Sequence, residues 1–358
     1  MTVITEPTWP GLLTELLEGR NLPADRATWV MEQVLRGQAD PAHVAAFLTA
    51  LRAKGATSSE VEGLVAAMER HAVPVAVEGP TVDIVGTGGD HAHTVNISTM
   101  AAIVAAGTGA RVVKHGNRAA SSSCGSADLL NELGITLNLS AEQTAHSARE
   151  VGITFCFAPL FHPAMKHAAT TRRALGIPTV FNLLGPLTNP ARPQAQAIGV
   201  ADPDTGPLIA GVLARRGTEA VVFHGDDGLD ELTVTSTSTV WTVTGGQVRQ
   251  EHLDPLDLGI PRASLEELRG GDPAHNAAVA RSLLAGGRGP IRHAVLLSAA
   301  ATLAVADPVG TAAKPITERI AAHLPTAAAA VDSGAAAALL DRWVTTTRSL
   351  ATPPVQST

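Results

Sequence analysis

Apolar residues recur at helical spacing through the first part of the chain, in WPGLLTELLEG, RATWVMEQVLRG and PAHVAAFLTALRAKG. Gly19, Gly37 and Gly55 stand just past these segments, where helix C-caps belong. Ser58 or Ser59 is placed to cap the next helix, SSEVEGLVAAMERHA. Residues 8–74 therefore read as a unit of short helices. At residue 81 the pattern changes: TVDIV (81–85) is a short β-branched run entering the loop GTGGD (86–90). NISTMAAIVAAG (96–107) reads as a helix, and RVVKHGN (111–117) begins with a second strand. SADLLNELG (126–134) is a helix ended by Gly134, and Ser140 with Gln143 forms a capping box before AEQTAHSAREVG. ITFCFAP (153–159) is a third strand, and AQAIGV (195–200), a helix at PLIAGVLARRG and EAVVFHG (219–225) continue the alternation.

Strands alternating with helices imply an α/β chain whose central sheet is mostly parallel and flanked by helices. TVWTVTGGQVRQEHL (239–253) departs from this and reads as an antiparallel hairpin about Gly245–Gly246. Helices dominate again from about residue 263. Between the third strand and AQAIGV, HPAMKHAATTRRALG reads as helical and IPTVFNLLGPLTNPA as loop. The expected organisation is a small α-helical domain over 1–78, joined by about 165–190, and a large α/β domain over 79–358. The tail TPPVQST is expected to be disordered.

Composition narrows the function classes. A chain of 358 residues can bury one large or two modest cores. A net charge of −7 with no like-charge run argues against a nucleic-acid surface, while leaving room for a small anion held by a few cations and loop amides. Cys124 and Cys156 lie in no CxxC or Cys/His spacing and read as free thiols of a reducing compartment. The first residues lack a basic region followed by an apolar stretch. No run of 18 apolar residues occurs, and the Ala-rich tract 326–340 is broken by Asp332 and Gly334, as in a pair of packed helices. A cytoplasmic protein without membrane or nucleic-acid partners is expected.

Five segments carry candidate chemistry. In GTGGD, glycines let backbone amides approach a ligand, and the following helix start favours phosphate or pyrophosphate. Asp90 suggests sugar hydroxyls or a hydrated metal rather than phosphate alone; without a ligand, the loop is an ordinary βα turn. It is neither a dinucleotide fingerprint nor a P-loop. NIST (96–99) can be a simple N-cap, or can aim hydroxyls and amides at the same anion, with a Ser hydroxyl able to ligate Mg²⁺. KHGNRAASSSCGSAD (114–128) leaves a strand end, as ligand-binding loops of open sheets do. HPAMKHAATTRR (162–173) sets His162, Lys166, His167, Arg172 and Arg173 at roughly helical spacing. Such a face is commonly solvated, but an inward Arg172 would suit an aromatic carboxylate. In HGDDGLDEL (224–232), Asp230 and Glu231 are good hard-metal ligands, and Asp226 and Asp227 read as turn residues.

These motifs, in this order and with HNAAVARSLLAGGRGPIRHAVLLSAAATL near the C-terminus, resemble the anthranilate phosphoribosyltransferases from about residue 10 to 345. The resemblance implies a small helical and a larger α/β domain, usually in a homodimer. It implies a Mg²⁺-dependent transfer of the phosphoribosyl group of 5-phosphoribosyl 1-diphosphate to anthranilate, in tryptophan biosynthesis. The sugar diphosphate would be contacted by Gly86, Gly89, Asp90, Thr94, Asn96, Ile97, Ser98, Thr99, Lys114, His115, Gly116, Asn117, Arg118, Ala119, Ala120, Ser121, Ser122 and Ser126. Anthranilate would be contacted by Asn117 and Arg172, with Gly86, His115 and His162 close by. Ser98, Asp230 and Glu231 would hold Mg²⁺, and no protein nucleophile is expected. Departures lie at His91-Ala92-His93, Cys124, Met165 and Ala169-Thr170-Thr171; the last two bear on acceptor affinity. The alternatives are a paralogue acting on a substituted anthranilate, a nucleoside phosphorylase, and a non-catalytic nucleic-acid-binding relative, against which the acidic balance and the Asp230–Glu231 pair speak.

Overall fold

A computed structural model describes residues 7–119, 122–307 and 313–351. In chain order the elements are α1 (Trp9–Leu17), α2 (Ala24–Leu35), α3 (Pro41–Lys54), α4 (Ser58–His71), β1 (Val82–Gly86), α5 (Ile97–Gly107), β2 (Val112–Gly116), α6 (Ser126–Leu133), α7 (Ala141–Val151), β3 (Ile153–Phe157) and α8 (Ala158–Phe161). There follow α9 (Lys166–Leu175), α10 (Phe181–Leu187), β4 (Ala195–Gly199), α11 (Thr205–Arg216), β5 (Glu219–Gly225), β6 (Ser238–Thr244) and β7 (Gln247–Leu253). The chain ends in α12 (Pro273–Leu284), α13 (Pro290–Ala306), α14 (Ile316–Asp332) and α15 (Ala335–Ala351). Among the described residues no helix is long and apolar enough to cross a membrane.

The chain divides into a helical unit, Met1–Val73 with Pro159–Pro190, and an α/β unit, Pro74–Ala158 with Ala191–Thr358. In the helical unit, α2 packs on α4 and α1 on α3, while α9 and α10 add to α3 and α4. Its buried stripe includes Leu12, Leu16, Val30, Met31, Leu48 and Leu64. The cap of α4 is Thr57, not Ser58 or Ser59: Thr57 is extended, its side chain accepts from Glu60 N–H, and Glu60 reciprocates. The Glu60 carboxylate, 1% exposed, also accepts from Leu22 N–H (2.8 Å) and Lys54 Nζ (3.0 Å). A buried charge this well bonded fixes the α1–α2 and α3–α4 connections together.

The stretch read as loop at IPTVFNLLGPLTNPA contains α10. Asn182 Oδ1 accepts from Thr179 N–H (3.2 Å) just ahead of the helix, and Phe181, Leu184 and Leu187 are buried, so the apolar face outweighs Pro186.

In the α/β unit the strand order is β3-β2-β1-β4-β5-β6-β7. The pairs from β3 to β5 are parallel, and β5–β6 and β6–β7 are antiparallel. The hairpin turns at Gly245 and Gly246, whose φ of 54° and 76° suit the mirror-image turn that two-residue hairpins need. α5 and α13, buried nearly all round, pack on each other beneath the sheet, with α14 and α15 against α5. The order 3-2-1-4-5 reverses between β1 and β4, which is where open α/β sheets leave a crevice at their strand ends.

Candidate active site

β1 and β4 end side by side, Gly86 paired with Gly199. Both glycines are demanded by what crosses above them. A Cβ on Gly86 would strike Asp230 Oδ2, and one on Gly199 would strike the Asp230 carbonyl. Asp230 and Glu231 belong to the turn after β5, which is built from its other acids. Asp226 accepts from Thr237 and Thr239 hydroxyls, and Asp227 from those of Thr233 and Thr235. With those two carboxylates spent on the turn, the next acidic pair leans over β1 and β4.

There it meets the loop of β1. Asp230 Oδ2 accepts from Gly88 N–H (2.7 Å), and Glu231 Oε1 accepts from Ser98 N–H at the start of α5 (3.1 Å). Gly88 and Gly89 hold φ of 69° and 88°, so this loop requires residues without a Cβ. Beneath lies Lys114, 1% exposed, whose Nζ donates to Ile84 O (2.6 Å) and Ser98 Oγ (3.4 Å). Burial lowers its ammonium, opposed by the Asp83, Glu231 and Asp230 charges. Burial and the neighbouring Asp90 carboxylate push Asp230 up to about 7. Burial and Asp230 raise Glu231 well above the ordinary range.

This donor set fits a hard divalent cation. Asp90, Asp230 and Glu231 press like charges together near the Lys114 ammonium, with Glu231 Oε1 on the Ser98 N–H and the Ser98 hydroxyl within reach of Lys114 Nζ. Among the described residues no three His, Cys, Asp or Glu side chains could hold a metal by themselves. Magnesium is commonly held in this way, by one or two carboxylates with the remaining oxygens from water and a phosphorylated substrate.

Comparison with known proteins fits this geometry. Residues 78–337 match the glycosyl transferase family, a/b domain, and residues 10–72 its helical bundle domain. The anthranilate phosphoribosyltransferase of Thermobifida fusca is 57% identical, over 97% of this chain and 99% of the relative. The chain belongs to the anthranilate phosphoribosyltransferase family. Among solved structures, the Thermus thermophilus family member matches with a TM-score of 0.86 at 41% identity, over 94% of this chain and 99% of that one. The Saccharomyces cerevisiae enzyme, in complex with PRPP and Mg, matches with a TM-score of 0.85 at 28% identity, over 96% and 99%.

The other residues expected of a phosphoribosyltransferase of this family fall into three groups. The first lies along the β1 loop. Asp90 Oδ1 accepts from Ala92 N–H (3.2 Å), and Thr94 forms a bridge with Arg269. Asn96 stands at the cap of α5, with Ile97 in the core and Thr99 1% exposed. The Thr99 hydroxyl has no partner among the described residues.

The second group runs from the end of β2 into the loop beyond it. His115 is 3% exposed, with its N–H donating to Asp83 (3.2 Å). A Cβ on Gly116 would strike Ser126 Oγ, which donates to Asn117 O (3.2 Å). Asn117 is exposed and accepts from Arg118 N–H (2.7 Å). Asp128 takes both Arg118 Nη1 (2.8 Å) and Ala119 N–H (2.9 Å), and Ser122 Oγ donates to Cys124 O (3.4 Å). Ala120 and Ser121 lie outside the described residues.

The third group is in the helical unit. The Arg172 guanidinium is half-buried, 4.9 Å over the Phe181 ring, and burial lowers it. His162, 7% exposed, lies 2.8 Å from Thr188 O through Nε2, and burial lowers it too. Lys166, His167 and Arg173 are exposed. Cys124 and Cys156 are free and buried, and burial pushes the Cys124 thiol up to about 11 and Cys156 higher still. Neither is a nucleophile at neutral pH.

Sequence reading missed Asn276 and the strip Leu268–Gly271. Leu268 O accepts from Val95 N–H (2.9 Å), and Gly270 N–H donates to His93 O (2.8 Å). Only the polar Asn276 in the otherwise apolar NAAVA run hints at this contact.

Proposed function

We propose that the chain transfers the phosphoribosyl group of 5-phosphoribosyl 1-diphosphate to the amine of anthranilate, giving N-(5-phosphoribosyl)anthranilate and diphosphate. The observation that carries this is the Asp230–Glu231 pair drawn over Gly86 and Gly199 onto the amides of Gly88 and Ser98. A crowded acidic pair beside glycine-rich amides suits pyrophosphate chemistry, in which a hard cation held by carboxylates would offset the charge of the phosphates. Family membership supplies the acceptor. The Saccharomyces cerevisiae relative is also solved in complex with 4-fluoroanthranilate.

Asp230, Glu231 and the Ser98 hydroxyl would hold Mg²⁺. Bound there, the ion supplies neutralisation of the departing diphosphate. Lys114 ties the middle of β1 to Ser98 and sets a positive charge near the acidic pair. The amides of the β1 loop and the residues from His115 to Ser126 are the proposed contacts of the sugar diphosphate. In the transfer, the bond from ribose C1 to the diphosphate oxygen breaks with its electron pair on the diphosphate. The anthranilate nitrogen lone pair forms the new C1–N bond, and the amine proton passes to solvent or product. An aryl amine needs no protein nucleophile and little deprotonation, so positioning and charge stabilisation carry the rate.

Arg172 and Asn117 are the proposed acceptor contacts. A desolvated guanidinium, backed by the Phe181 ring, suits a bidentate bond to a carboxylate. A homodimer in a reducing compartment belongs to the same proposal; the buried, unbridged thiols support the compartment, and light scattering tests the assembly.

Mass spectrometry of product, with parallel diphosphate release, tests the reaction; equimolar phosphoribosyl-anthranilate and diphosphate are expected. Arg172→Ala should raise KM for anthranilate much more than KM for the sugar diphosphate. Equal effects would remove Arg172 from the acceptor site.

A further inference from the structure

An Asn at a helix N-cap ordinarily turns its side chain onto the amides of its own first turn. Asn96, at the cap of α5, makes no such bond. Its Nδ2 donates instead to the Cys124 carbonyl just before α6 (2.9 Å), and its Oδ1 accepts from Asn276 Nδ2 (2.9 Å). Asn276, 2% exposed in the first turn of α12, accepts through Oδ1 from Gly271 N–H (2.8 Å). The result is a line of three amide bonds with fixed polarity. It begins at a group that can only donate, the Gly271 N–H, and ends at one that can only accept, the Cys124 carbonyl. Each residue between must accept on one side and donate on the other, which a carboxamide does and a carboxylate does not.

The backbone is shaped around this line. A Cβ on Gly270 would lie 2.7 Å from Thr94 O and 3.0 Å from Asn276 Oδ1. Gly270 N–H meanwhile donates to His93 O and Val95 N–H to Leu268 O, clasping the β1 loop from the α12 side. We infer that Asn276 is a positioning residue for the sugar diphosphate, orienting Asn96 so that the β1 loop and the segment entering α6 are held at one fixed separation. This deepens the proposed function and rests on it, because those two segments are its diphosphate and ribose contacts. Asn276 acts through Asn96 and touches no reacting atom.

The test is steady-state kinetics of Asn276→Asp and Asn276→Ala beside the parent chain, with thermal melts to show that each variant folds. Asn276→Asp keeps the shape and the bond from Gly271 but opposes two oxygens at Asn96. Losing bonds of this kind should raise KM for the sugar diphosphate about tenfold, with KM for anthranilate within about twofold. A folded variant whose sugar-diphosphate KM stays within about twofold of the parent overturns the inference, as does an equal rise in both KM values. If the parent itself shows no transfer, the proposed function fails. Calorimetric titration of the three proteins with 5-phosphoribosyl 1-diphosphate and Mg²⁺ then decides the role of Asn276: affinity about tenfold weaker in the variants upholds it, and equal affinity overturns it.

Discussion

At Gly86 a single methyl group would occupy the place of the Asp230 carboxylate. Gly86→Ala should therefore move the Asp230–Glu231 turn without disturbing the apolar core below it. Displacement of catalytic groups by about an ångström can cost ~100-fold in rate, so turnover should fall on that scale. A melt within a few degrees of the parent is the matching expectation, and a fully active Gly86→Ala would contradict the close approach. His162 is the second test at this scale. Burial lowers it from the ordinary 6.5, so the folded state prefers the neutral ring that Thr188 O holds. A group whose pKa is depressed on folding contributes stability that is fully present above its unfolded value and is lost as pH falls towards the folded one. Melting temperature should thus decline as pH drops below 6.5, and His162→Gln should flatten that part of the profile. An unchanged slope in the variant would show that protonation of His162 does not govern the decline.

Among the elements, α4 shows what a cap contributes. Thr57→Ala removes one half of the capping box and one partner of the buried Glu60 carboxylate. A cost of about 1 kcal/mol is expected, read as a shift of denaturant midpoint at unchanged slope; no shift would mean that Ser58 takes over the cap. The α4 cap also marks where the sequence was legible and where it was not. Ser140 with Gln143 is readable because the box is local and has no rival hydroxyl next to it. At 57–59 three hydroxyl residues stand in a row, and only the extended backbone at Thr57 chooses between them. The Pro and Asn residues in and around α10 point to a loop, although its buried side chains decide otherwise. The Gly245–Gly246 hairpin and the run of strands were readable from period and turn chemistry alone. The glycine loop and the acidic turn were each readable as loops after strands. Their meeting is implied by the family resemblance and by no local pattern, because it depends on β5 lying next to β4 and β4 next to β1, a long-range pairing. Asn276 was hidden for the same reason, lying 180 positions from Asn96.

Over the whole molecule, the strand order converts these local features into a site. With β1 and β4 at the reversal point and β5 beside β4, loops distant in sequence open at one sheet edge. The net charge of −7 makes the molecule as a whole unattractive to a diphosphate, so on the proposed function affinity would come from a few oriented amides, local cations such as Lys114, and Mg²⁺. That dependence is the central claim, and the fluorescence of anthranilate tests it most directly. Its decay should require the protein, 5-phosphoribosyl 1-diphosphate and Mg²⁺ together, and should be abolished when Asp230→Asn and Glu231→Gln are combined in a protein that melts no lower than the parent. Decay at an undiminished rate in that double variant, or without the sugar diphosphate, would contradict the account.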